Sequence, residues 1–243
     1  MNGGPVRAPV RPLDASGARN YFPLTETAPH RRSPALEPTG GNMADVKRYT
    51  PRDFSKVRGL NGISDKQLEE HLKLYEGYVK RTNALTEKLQ AICADGKASG
   101  ADPVFAELTR RLGFEYSGMV NHEYYFDNMA PGAQAEPPSG GKLRKALEAS
   151  FGKYETWLAD FRAIATMPGI GWAMTFQDPT TGWLSNHWIN LHQDNVPVGF
   201  KPVLVMDGWE HAYMRDYLAT ERAKYVDAFF KNVSWEAVEK RIA

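Results

Sequence analysis

An apolar run that ends in an acid and a histidine constrains this chain more than any other stretch. Val203-Leu-Val-Met206 reads as a buried strand, and Asp207-Gly-Trp-Glu-His211 follows it directly. If the backbone turns helical there, Asp207 and His211 stand four residues apart on one face. A carboxylate and an imidazole then point into the same space from a rigid strand end. Two ligands do not close a metal site, so two more must come from elsewhere in the chain. His71 and His122 are the candidates.

The rest of the sequence narrows the classes that can surround such a site. With 243 residues the chain makes one large domain or two small ones, and 42% hydrophobic with 24% charged residues is a globular composition. A net charge of +1 gives no bulk attraction to nucleic acid or to a membrane surface. No apolar run approaches the roughly 20 residues that span a bilayer. Cys93 is the single cysteine, which excludes a multi-cysteine metal site and an intramolecular disulfide and fits a reducing, cytoplasmic compartment. Residues 1–45 are rich in Pro, Gly, Arg and Ala without periodicity, which predicts a disordered tail. That segment lacks the apolar core of a secretory signal, its arginines leave organellar targeting as the alternative, and Met43 is an alternative start.

Periodicity divides the remainder into a helical part, 46–132, and an α/β part, 133–243. Ser64 as N-cap, with Gln67 at capping-box spacing, opens a helix that carries Leu68, His71, Tyr75, Tyr78 and Leu85 at helical intervals. Asp95-Gly96-Lys97 closes it. A short helix is expected from Pro103 to Arg111, then a longer one from Glu115 to Met129 carrying His122. The two long helices would form an antiparallel hairpin that faces His71 to His122. Pro131 to Gly141 reads as a linker. Lys142 to Ala165 follows as one or two helices split near Gly152. Three strand-like runs come next, Gly171–Phe176, Trp183–Leu191 and Pro202–Met206, the first two joined by the turn Asp178-Pro-Thr-Thr-Gly182. A final helix is expected from Glu210. The fold class is α+β: a helical hairpin domain packed on an α/β domain with a small antiparallel sheet, the metal site between them.

These residues resemble a known family. Ile63-Ser64, His71, Tyr78-Val79 and Asn83 are similar to the first metal-binding helix of the iron/manganese superoxide dismutases. Asn121-His122-x-x-Tyr125 with Asn128-Met-Ala-Pro131 is similar to the second. Ser150-Phe-Gly152, Gly169-x-Gly-Trp172, Asp207-x-Trp-Glu-His-Ala-Tyr213 and Asn232-Val-x-Trp-Glu236 continue in the family's order over roughly residues 60–243. The resemblance implies a superoxide dismutase that converts superoxide to dioxygen and hydrogen peroxide. It implies one iron per subunit, manganese being the alternative, held by His71, His122, Asp207 and His211. Tyr78 takes the place of the tyrosine at the substrate entrance. Trp172 and Trp209 read either as plain core aromatics or as the lining of a dry cavity that limits solvent access to the metal. Glu210 would bond His211 of a partner, which implies a homodimer or a dimer of dimers.

Imidazole and carboxylate donors suit iron and manganese, which cycle by one electron; zinc accepts the same donors but does not cycle. Surrounding hydrogen bonds tune that cycling. Gly118 stands where many iron-dependent relatives carry a glutamine that bonds the solvent ligand, so the donor is expected from Leu191-His-Gln-Asp194. His192 is the favoured donor and Gln193 the other candidate. The His71–Tyr78 segment is one residue shorter than in most relatives and has Leu74 and Tyr75 in place of a histidine pair, which predicts a regular helix without a π-bulge. Met214 stands at the usual cross-dimer tyrosine position. These departures keep a second reading open, a dimeric module of the same fold with altered or non-redox metal use. A mononuclear iron oxygenase is disfavoured, because such enzymes use two histidines and one carboxylate with more open positions. Taken singly, His30 reads as solvated, His187 as a strand residue, and Arg81 and Arg222 as a solvated face or a positive funnel.

Overall fold

The computed structural model describes residues 48–243; the expected tail, with His30 and Met43, lies outside the described residues. Helix α1 (Asp65–Ala94) begins where Ser64 Oγ accepts from the backbone N–H of Gln67 at 3.1 Å. The second half of the expected capping box does not form. The N–H of Ser64 donates instead to Asp216 Oδ2 at 2.7 Å, and the Gln67 side chain is used elsewhere. From His71 to Tyr78 the helix is regular, with no π-bulge. It stops at Asp95, and Gly96 follows with φ +65°, a conformation glycine adopts at no steric cost.

Helix α2 (Pro103–Asp127) corrects the expectation of two helices here. Asp102 Oδ1 accepts from the N–H groups of Val104 and Phe105, and Pro103 occupies the first turn, where its missing N–H is harmless. Gly113 lies between the two expected helices, and a helical glycine costs only about 1 kcal/mol relative to alanine. Glu115, buried one half-turn later, is gripped by Arg111 from its own helix and by Arg81 from α1, which holds the strand of helix through that point. Contacts along the pair run in opposite senses. His71 meets His122 and Phe126, Tyr75 meets Glu123, Tyr78 meets Gly118 and Arg81 meets Glu115, so α1 and α2 are an antiparallel hairpin.

Helices α3 (Lys142–Phe151) and α4 (Tyr154–Ala165) separate at Gly152, φ +78°. Three strands follow: β1 (Gly171–Gln177), β2 (Leu184–Asn190) and β3 (Lys201–Asp207). Their order is β2-β1-β3, with β1 antiparallel to both neighbours and buried along its whole length. Pro202, which cannot donate to a ladder, sits in edge strand β3 beside a register shift at Thr175/Phe176. Trp157 on α4 donates through Nε1 to Thr175 Oγ1 at 3.0 Å and fixes that helix on the sheet. The register pairs Trp172 with Asp207, which sets the end of β3 beside the centre of the molecule.

The single helix expected from Glu210 does not form. A 3-10 turn (Glu210–Ala212) leads through an irregular stretch to a second one (Ala219–Glu221), then to α5 (Arg222–Phe230) and α6 (Trp235–Glu239). Groups that a continuous helix would pair internally are taken by α1: Gln67 binds the carbonyl of His211 and the N–H of Arg215. The segment expected to be a linker is tied down. Ala130 N donates to the carbonyl of Asn232, and Trp235 Nε1 donates to that of Gln134. The described residues belong to one compact unit, Met43–Ala243. No helix among them is long and apolar enough to cross a membrane.

Candidate metal centre

His71 comes from the middle of α1, His122 from α2, Asp207 from the last position of β3 and His211 from the turn after it. One ligand atom from each lies within 4.8 Å of all the others. Asp207 Oδ2 is 3.1 Å from His71 Nε2, 3.2 Å from His211 Nε2 and 3.6 Å from His122 Nε2. The other carboxylate oxygen accepts the backbone N–H of Trp209 at 2.8 Å, which aims Oδ2 at the imidazoles. His71, His122 and Asp207 are buried. Asp207 and His211 do converge four residues apart, through a 3-10 turn instead of an α-helix.

The electrostatics suit a cation. Burial lowers the basicity of His71 and depresses that of His122 further, repulsion from His71 adding to the second. Burial alone would raise the Asp207 carboxyl, but the charge and hydrogen bond of His211, then those of His71, outweigh it and hold the carboxyl well below its ordinary range. His122 Nδ1 lies 2.6 Å from the carbonyl of Gly118, an acceptor only, so Nδ1 carries the proton and Nε2 is a bare lone pair. That Nε2 is buried and has no hydrogen-bond partner among the described residues. Such an orphan is costly unless an ion takes it. Three imidazoles and one carboxylate form a donor set that iron, manganese or zinc accepts.

A second layer of side chains closes over the cluster. His192 is fully buried; its Nε2 lies 2.7 Å from Tyr78 Oη, and its Nδ1 accepts from Trp172 Nε1 at 3.0 Å. Burial pushes its pKa down to about 4. Tyr78 is pushed up to about 12, first by burial, then by the charges of Asp207 and Glu115. Trp209 stacks on His192 at 4.7 Å and on His211 at 5.6 Å between centroids. Gln193 is not brought in. Leu191 has φ +50°, and in the turn that follows the Gln193 amide oxygen faces the backbone N–H of His192 at 3.3 Å while its side chain is partly exposed. Glu210 is exposed and makes no ion pair among the described residues, and Met214 is exposed as well.

Several supporting residues gave little sign of themselves in the sequence. Asn121 donates to the carbonyl of His192 at 3.0 Å, and Tyr225 to that of Asp207 at 2.9 Å. Gln67 lies one turn before His71 on the same helix face, a spacing that could have marked it. Tyr225 follows Asp207 by eighteen residues and carried no local signal. Tyr75 faces inward, donating to Glu123 at 2.8 Å. His187 hydrogen-bonds Ser185 Oγ at 2.8 Å and packs on Phe176 and Phe200, away from the cluster. Arg222 donates to the carbonyl of Gly169 at 2.7 Å.

A hairpin of helices on a three-stranded antiparallel sheet, with three histidines and an aspartate gathered at their junction, defines a mononuclear metalloprotein. Residues 138–241 match the family described as iron/manganese superoxide dismutases, C-terminal domain. Over 199 residues the chain is 36% identical to the superoxide dismutase [Fe] of Aquifex aeolicus, covering 81% of this chain and 92% of that protein. It is 34% identical over 213 residues to the superoxide dismutase [Mn/Fe] of Aeropyrum pernix, at 82% and 93% coverage. It is 33% identical over 174 residues to the superoxide dismutase [Mn] of Mycolicibacterium smegmatis, at 71% and 81% coverage. The chain belongs to the iron/manganese superoxide dismutase family.

Proposed function

We propose that this chain is a superoxide dismutase whose ion is held by His71, His122, Asp207 and His211. The convergence of those four donor atoms within 4.8 Å, with a bare His122 Nε2 among them, carries the reading. When bound, iron or manganese supplies one-electron cycling, by which one superoxide is oxidised to dioxygen and a second, with two protons, is reduced to hydrogen peroxide. The chain's own contribution is positional. Asp207 supplies the negative charge, Trp172 and Trp209 pack beside the cluster and keep bulk water from it, and the hydrogen-bonded pair Tyr78 and His192 supplies polar groups next to it. Iron is the proposed metal and manganese the alternative. Glu210, exposed beside His211, is proposed to bond His211 of a partner in a homodimer, and the functional compartment is proposed to be the cytoplasm. The site is proposed to join two domains, 46–132 and 133–243.

Metal analysis with a dismutation assay on purified protein tests this. About one iron or manganese per chain together with dismutation supports it, and His211→Ala should lose the ion. The second reading, altered or non-redox metal use on the same fold, is favoured by the regular α1 and the exposed Met214. A full metal site without dismutation would select that reading over the first.

A further inference from the structure

We infer that Trp188 is a positioning residue for Asp207: its indole reaches from β2 across β1 and braces the Asp207–Gly208 end of β3 from behind. The sheet order is β2-β1-β3, so the central strand separates the two. Side chains alternate between the faces of a sheet. Ile189, Trp172 and Asp207 are cross-strand partners on one face, where Trp172 packs on His122. Trp188, Ala173 and Met206 are partners on the opposite face. There the half-buried indole passes over Gly171 and ends against Gly208. A Cβ on Gly171 would stand 3.0 Å from Trp188 Cε2 and Cζ2, and one on Gly208 would stand 3.2 Å from Cη2 and 3.3 Å from Cζ3. The reach across β1 therefore exists only because neither position carries a side chain.

Gly208 is not in the left-handed region, so glycine serves space here and not backbone conformation. Its N–H donates to the Gly171 carbonyl at 2.8 Å, and a Cβ would stand 2.9 Å from that same oxygen. The indole is itself held: Nε1 donates to Asn190 Oδ1 at 2.8 Å, and the Trp188 carbonyl accepts from Asn195 Nδ2 at 2.9 Å. Tyr225 already holds the Asp207 carbonyl, but the N–H that aims the carboxylate belongs to Trp209, beyond Gly208. A glycine has no side chain of its own to fix the peptides between them. The indole supplies that restraint by pressing Gly208 onto Gly171, which keeps the Trp209 N–H on Asp207 Oδ1. The packing stands on geometry alone; that it serves a metal rests on the proposed ligand role of Asp207.

Zinc binding and amide exchange of the full-length chain test this without any redox step. Trp188→Ala should speed exchange of the Gly208 amide about tenfold more than that of the α4 amides, a local opening distinct from a global loss of stability. The same variant should raise the dissociation constant for zinc about tenfold. Trp188→Phe, which keeps a ring over Gly171, should recover most of both. Where Trp188→Ala does not fold, Gly208→Ala, which lifts the indole without removing it, should shift both readings in the same direction. Unchanged zinc affinity, or Gly208 exchange that rises no more than that of α4, overturns the positioning role. A wild type that binds no zinc overturns the ligand role of Asp207 and this inference with it. The expected zinc results in a protein whose iron- and manganese-loaded forms show no dismutation support the inference and end the dismutase reading.

Discussion

The side-chain amide of Gln67 donates to the backbone carbonyl of His211 at 2.6 Å, and its oxygen accepts from the N–H of Arg215 at 3.0 Å. One buried residue on α1 thus fixes the turn that carries His211, a proposed ligand 144 residues further along the chain. Gln67→Ala leaves two backbone groups without partners, each costing about 1–3 kcal/mol when buried. The ligand it orients should then hold its ion more weakly, by about 10–100-fold. Metal content after dialysis against a chelator measures this, and full retention would show that His211 needs no such brace.

Gly118 and Tyr78 share one space. Gly118→Ala must move the tyrosine ring, and overpacking of this kind costs about 1–3 kcal/mol. The ion should be retained, because the substitution leaves the four proposed ligands and the Gly118 carbonyl that holds His122 in place, while turnover falls. Tyr78→Phe should likewise keep the metal and change turnover. A metal analysis paired with kcat decides both, and loss of the ion in either variant would place Tyr78 among the ligand-supporting groups.

Acid should weaken the metal-free fold. His71, His122 and His192 have folded pKa values below the ordinary 6.5, so between those values and 6.5 the unfolded chain binds more protons. Their contribution is fully present above about pH 6.5 and is lost as pH falls. The depressed Asp207 carboxyl adds a contribution present above its ordinary 3.8 and lost below it. The Tm of the metal-free protein should drop between about pH 7 and about pH 5, and bound metal should be released over the same range, because protons compete for its imidazole ligands. A flat Tm across that interval would contradict the burial of these histidines as neutral groups.

Glu115 is buried between Arg81 and Arg111, at 2.7 Å and 2.6 Å, whose side chains are about half exposed. Glu115→Leu should destabilise by about 1–3 kcal/mol, less than for a fully buried pair because solvent screens the freed arginines. Arg81 also lies 4.7 Å over the Tyr78 ring, and Arg111 lies 4.3 Å over that of Phe114, which itself packs on His192. Two guanidinium groups against one carboxylate leave a positive rim beside the site. The double variant Arg81→Gln, Arg111→Gln should lower kcat/KM for the anionic substrate, about tenfold at low salt, and flatten its dependence on ionic strength. An unchanged salt dependence would make the pair structural only.

The sequence by itself determined the elements and the ligand types. The period of α1, the alternation of helices and strands, and the apolar run ending in Asp207 are local patterns, and local patterns are what backbone geometry and burial impose on neighbouring residues. Asp207 and His211 were legible as a pair because they are four residues apart, and His71 and His122 because each lies on a helical face with aromatic neighbours. Tertiary structure alone decided the rest. It carried α2 through Gly113, broke the expected last helix by giving its backbone groups to Gln67, and turned His192 inward and Gln193 outward. Each of these outcomes depends on a partner thirty to more than a hundred residues away, and a competition settled across that distance leaves no periodic trace in the chain.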